Sequence, residues 1–294
     1  MANVLIGFPN RIDGSTLSGG QWVETLPLDN LKNRLFARVA RSIDTDPDNT
    51  TFTADLGEPR RIQVFALVNH NMSLTARVHV QAATQPSFDP QYLVLDRTDD
   101  AWGSLVNSAW LIDELEWEGQ NYWTGTYSKE DLAGLTSISS IILPGQVSAR
   151  YWRVTILDED NPDGYLQVGR AFFGGAISPS RNYSYGASLG FDISTTVETA
   201  LGGAEFFDVR EPVRVFRFTL NYLRDAEAYG NFLELVRRAG LHSEVFVVPD
   251  PDDFGNAQRR NFMGRIRQAT PLEQAAWVDG GFSNSMSFEI KELR

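Results

Sequence analysis

Ala76, Val78, Val80 and Ala82 are apolar, and the residues between them, Thr75, Arg77, His79 and Gln81, are polar. Strict alternation of this kind suits a strand, whose successive side chains point to opposite faces, so the segment is predicted to be a β-strand with one wet face. A few residues earlier, Ile62, Val64, Ala66 and Val68 lie two apart with Phe65 and Leu67 between them, the pattern of a strand covered on both faces. The two runs predict paired strands around a polar turn, Asn69 to Ser73, with His70 at the surface. His79 is expected on the polar strand face.

The same rhythm returns at Tyr151 to Ile156, where Trp152, Val154 and Ile156 are predicted to point inward. An acidic turn at Asp158 to Gly164 and a strand through Leu166, Val168 and Phe172 follow. Between these regions, residues 96 to 135 break the pattern with Trp102, Trp110, Trp117 and Trp123 among Asp113, Glu114, Glu116 and Glu118, and are read as a long loop.

Gly174-Gly175 and Ser178-Pro179-Ser180 interrupt both helical and strand periods and form the candidate linker. With 294 residues, two domains are expected, at 1–178 and 179–294. In the second, Phe216, Phe218, Leu220 and Tyr222 alternate as a strand. A helix is predicted from about Ala226 to Ala239, with Asp225 as N-cap, Gly240 as terminator and Tyr229, Phe232, Leu233 and Val236 on its buried face. Strands at Glu244 to Val248, around Phe262 to Ile266 and through Phe282, Met286, Phe288 and Ile290 complete a smaller β domain. The fold class is therefore mainly β, with one helix against the second set of strands.

A formal charge of -12 repels phosphate backbones and anionic headgroups, which disfavours a general nucleic-acid or membrane binder. The absence of cysteine removes disulfides and thiolate chemistry. Met1 to Pro9 carries no basic leader, no run reaches the about 20 apolar residues of a membrane span, and a soluble product made in a cytoplasm is expected.

Chemistry-bearing patterns are few. Gly186-Ala187-Ser188-Leu189-Gly190 has the spacing of a hydrolase nucleophile elbow with His242 downstream, but the residues after it read as a strand where the elbow requires a helix. No catalytic residue is assigned, and no cofactor is expected. Asp44, Asp46 and Asp48 alternate like calcium-loop ligands, yet Asn49 stands where such a loop needs glycine, so a capped turn is preferred and no metal ligand is assigned. Glu114, Glu116 and Glu118 beside Trp110, Trp117, Tyr122 and Trp123 combine carboxylates with rings, as glycosidases do. Packing or partner contact is the preferred reading for these aromatics, ahead of sugar binding and catalysis.

Thr53-Ala54-Asp55-Leu56-Gly57, the strand Ile62 to Val68, and Ala149-Arg150-Tyr151-Trp152-Arg153-Val154 closing with Val168 to Gly174 together resemble the galactose-binding-like, or discoidin, jelly-roll sandwich. This resemblance covers residues 1 to about 178. Leu28-Asp29-Asn30-Leu31 with Ala66 to Asn71 is similar to sandwich domains of phage tail proteins, and the strand–helix–strand order of the remaining about 115 residues resembles the tail-tube and distal-tail fold. The resemblance implies a homo-oligomeric ring, a hexamer, at the virion tail tip, contacting other tail and baseplate proteins, with DNA only in transit through its channel. The alternative it carries is a carbohydrate-binding module for host glycans, with Trp22, Trp102 and Trp123 as candidate sugar platforms.

Overall fold

A computed structural model describes residues 2–103, 127, 129–278 and 281–294. It divides the chain into two units: Met1–Ser178 with Val245–Asn261, and Pro179–Glu244 with Phe262–Arg294. The fold class is mainly β, as the alternating runs predict. Among the described residues no helix is long and apolar enough to cross a membrane.

The first unit contains β1 (Leu5–Asn10), β2 (Thr16–Ser18), β3 (Ala40–Arg41), β4 (Phe52–His70), β5 (Arg77–Ala83), β6 (Leu93–Asp100), β7 (Ile138–Leu157), β8 (Gln167–Ile177) and, late in the chain, β13 (Glu244–Val248). Their order is β6-β5-β7-β4-β8-β1-β13, with β2 paired to β4 and β3 to β8. The long strands β4 and β7 are not uniform: their register breaks between Asp55 and Arg60 and again between Ile62 and Val64. Such irregularities bend a strand and divide its partners. The early half of β4 pairs with the Tyr151–Val154 stretch of β7, which also carries β5, and the late half pairs with β8. The two halves close on a jelly-roll sandwich core in which Trp152 meets Phe173 at 6.0 Å between ring centroids and Phe65 meets Phe173 at 5.0 Å, both edge to face.

The two sequence motifs of the sandwich are joined by chemistry. Arg150 donates from Nε and an amino group to the two oxygens of Asp55 at 2.7 and 2.9 Å, across the β4–β7 ladder. Asp55 also accepts the Gly57 N–H at 2.8 Å, closing a turn in which Gly57 adopts φ +77°. The hydrogen bond from Arg150 is the largest influence holding the Asp55 carboxyl below the usual carboxylate range.

Several expectations are corrected here. Gly174 and Gly175 lie inside β8 rather than in a linker; a Cβ at Gly174 would stand 2.5 Å from the Phe172 ring, so close packing requires that glycine. The strand Glu244–Val248 is present as expected, but Val245–Asn261 belongs to the first unit, where β13 pairs with β1. Regular strand extends through Asp100, so the interruption begins later than residue 96. His70 is not at the surface: it is buried, and its Nδ1 accepts the Met72 N–H at 3.3 Å. His79 does lie on the wet face, bonded to Asp96 at 2.6 Å.

The second unit contains β9 (Ser188–Asp192), β10 (Thr196–Thr199), β11 (Glu205–Asp208), β12 (Val213–Leu223), β14 (Phe262–Ala269), β15 (Glu273–Val278) and β16 (Gly281–Glu292). Its sheet runs β14-β16-β12-β9, β15 joins β16, and β10 pairs only with β11. Phe218 stacks on Phe216 at 4.8 Å and on Phe288 at 5.4 Å, and Phe232 of the helix reaches Phe288 at 6.0 Å. That helix is α-helical at Asp225–Glu227, π-helical over Ala228–Leu233 and α-helical again at Glu234–Ala239. Its N-cap is Arg224 rather than Asp225. The buried stripe is Ala228, Phe232, Leu235 and Ala239, a 4-3-4 spacing on the face beside the expected one, and Tyr229 and Leu233 are exposed against expectation.

Candidate functional site

Of the candidate aromatics, Trp22 is half-buried, donates its indole N–H to the Gly19 carbonyl at 3.1 Å and sits edge-on to Phe52. Trp102 is buried; its N–H reaches the Ser73 and Met72 carbonyls at 2.7 and 3.2 Å, and its ring lies 4.7 Å from that of His70. The two indoles thus pack on different partners, and Trp102 lacks the free face and free N–H of an open sugar platform. Trp123 lies outside the described residues, as do Trp110, Trp117, Tyr122 and the three glutamates Glu114, Glu116 and Glu118.

Ser188 sits within β9, opposite Arg217 of β12, and the chain continues as strand rather than turning into a helix. The geometry of a nucleophile elbow is therefore absent at that serine. The carboxylates of the Asp44–Asp48 run face their own backbone: Asp44 accepts the Asp46 N–H and the Asn49 amide, and Asp46 accepts the Asp48 N–H at 2.9 Å as N-cap of the short helix Pro47–Thr50. Asp158 is likewise occupied, by Ser73 and Asn161. Among the described residues, no group of three or more acidic, His or Cys side chains is placed to hold a metal ion.

Sequence reasoning missed the site built around β6 and the returning segment Asp250–Asn261. Alternation along β6 turns Arg97 and Asp99 to the same, partly buried face. There Arg97 donates to both Asp99 oxygens at 2.5 and 2.6 Å, and this bond raises the guanidinium pKa further. The turn after β13 places Asp250, Pro251, Asp253 and the exposed ring of Phe254 opposite them around a cavity of about 270 Å³. Asp253 is anchored by Arg260 and by Asn256; burial pushes its pKa up, but these bonds outweigh it and leave the carboxyl below its ordinary value. Tyr127 donates its hydroxyl to the Gly255 carbonyl, and burial pushes that phenol up to about 12. The only signal in the sequence was Asp250-Pro251-Asp252-Asp253-Phe254, which reads as a turn because its partners are some 150 positions earlier in the chain.

The second unit offers a different surface. Thr196 to Thr199 pairs with Glu205 to Asp208, so Val197 stands opposite Phe207 and Glu198 opposite Phe206, which places one phenylalanine on each face of the ribbon. Phe206 is 64% exposed, Phe207 58% and Val197 51%, and the flanking Ile193, Leu201 and Val209 are more exposed still.

These features define a mainly β chain with a sandwich unit and a sheet-and-helix unit. No family model matches the chain, and no curated protein matches it. Among solved structures, the family 32 carbohydrate-binding module of C. perfringens NanJ, solved with galactose, is similar at 11% identity over 57% of this chain and 98% of that one, with a TM-score of 0.36. A module of the same kind from a family 31 glycoside hydrolase of Clostridium perfringens is similar at 12% identity, over 57% and 99%, with a TM-score of 0.36. The lectin domain of Lectinolysin, solved with Lewis B antigen, is similar at 12% identity, over 57% and 96%, with a TM-score of 0.35.

Proposed function

We propose that the chain is a self-assembling structural protein, in which the second unit joins copies into a ring and the first is the module that ring presents. The observation that carries this reading is the β10–β11 ribbon. A two-stranded ribbon is at best marginally stable alone in water, and this one exposes phenylalanine on both faces. Contiguous exposed apolar surface of this kind marks an interaction site. An arm inserted into the next copy gives a head-to-tail contact, which closes into a ring when the rotation permits.

The finer form of the proposal is a ring at the distal end of a bacteriophage tail tube, linked to host-recognition proteins through the sandwich unit. Negative-stain imaging of the purified chain tests it. Discrete closed rings, six-membered under the tail-tip reading, are the expected result; monomeric particles at tens of micromolar protein contradict it.

A second reading assigns glycan binding to the first unit. The observation favouring it is Trp22, an indole still half-exposed at the surface of the sandwich. A glycan array probed with the full chain is expected to give sugar signals that fall in Trp22→Ala. Signals at background, or unchanged in that variant, count against it.

A further inference from the structure

The cavity beside Phe254 does not stand alone. A second cavity, of about 440 Å³, shares Arg97, Ile142, Pro251 and Phe254 with it, so the two form one groove with the Phe254 ring between two basins. All of these residues belong to the first unit.

The basins differ in chemistry. The smaller one has three carboxylates on its wall, Asp99, Asp250 and Asp253; Asp100 follows Asp99 along β6 and lies on the strand's other face, opposite Arg77. Two of them have cationic partners, Asp99 in Arg97 and Asp253 in Arg260. Among the described residues Asp250 has no ion-pair partner, so the basin keeps an excess of negative charge. The larger basin is mostly apolar, with Leu5, Ile142, Leu143 and Pro144 in its wall.

We propose that this groove docks an extended basic segment of a partner protein, with a Lys or Arg side chain in the acidic basin and an apolar side chain in its neighbour. Charge complementarity selects the occupant: the unmatched Asp250 carboxylate attracts a cation and repels phosphate, sulfate or an acidic sugar. Phe254 adds a ring face on which a guanidinium or ammonium gains further attraction. Side chains two residues apart in an extended segment lie on one side about 7 Å apart, which suits two adjoining basins. The inference is independent of ring assembly, which uses the other unit.

Fluorescence anisotropy of the full chain with a labelled extended hexapeptide tests it, using one peptide with Arg and Leu two positions apart and a second with glutamate in place of arginine. The arginine peptide is expected to bind at least about tenfold more tightly, and to weaken as salt screens the basin. Phe254→Ala and Asp250→Asn are each expected to weaken it about fivefold or more, with the circular dichroism unchanged. Equal binding of the two peptides, binding indifferent to these variants, displacement of the peptide by galactose, or no binding at millimolar peptide each overturn the proposal.

Discussion

Buried polar side chains account for much of what holds individual positions in place. Arg214 and Glu292 form an ion pair with both side chains almost fully buried, and Glu292 also accepts the Arg214 backbone N–H at 2.8 Å. His70 is a simpler case, because burial alone drives its pKa from 6.5 to about 3. The folded chain therefore keeps a neutral imidazole at pH values where the unfolded chain has already taken up a proton. Stability from this group is complete above about pH 6.5 and falls as the pH drops from there toward 3, by about 1.4 kcal/mol per unit. Urea unfolding at pH 7 and pH 5 is expected to show a smaller acid loss in His70→Gln than in the parent chain. An equal loss in both proteins shows that His70 does not set this dependence. Little of this was legible locally: Asn69 to Ser73 has the composition of an exposed turn, and Trp102, contributed from further along the chain, packs against the imidazole.

Elements were legible where a single period runs uninterrupted. The alternations at Ile62 to Val68, Ala76 to Ala82 and Tyr151 to Ile156 became β4, β5 and β7, and the Asp55 and Arg150 motifs meet across β4 and β7. The helix shows where a period misleads. The buried residues Ala228, Phe232, Leu235 and Ala239 keep helical spacing, but two of them are alanines, so the larger apolar side chains Tyr229 and Leu233 point to the wrong face. Phe232→Ala is expected to cost about 3–5 kcal/mol in denaturant unfolding, and Leu233→Ala to stay within about 0.5 kcal/mol. Comparable losses in both variants contradict the observed helical face. The β10–β11 ribbon escaped the sequence reading because its strands are short, and Phe206-Phe207 presents adjacent rather than alternating apolar residues.

At the scale of the molecule, the division near residue 178 was legible in Ser178-Pro179-Ser180, but the return of Val245–Asn261 to the first unit was not. A fully apolar strand such as Val245 to Val248 does not declare its partner; pairing with β1 decides it, across more than two hundred residues. That return also completes the groove at Phe254, which therefore depends on topology, whereas the ribbon is a local hairpin of Thr196–Thr199 with Glu205–Asp208. In the proposed assembly the ribbon drives self-association. Sedimentation velocity of the parent chain and of Phe206→Ser/Phe207→Ser, over a range of concentrations, tests it most directly. A discrete oligomer for the parent and a folded monomer for the variant, with matching circular dichroism, are expected. A monomeric parent, or an oligomer that survives in the variant, contradicts it.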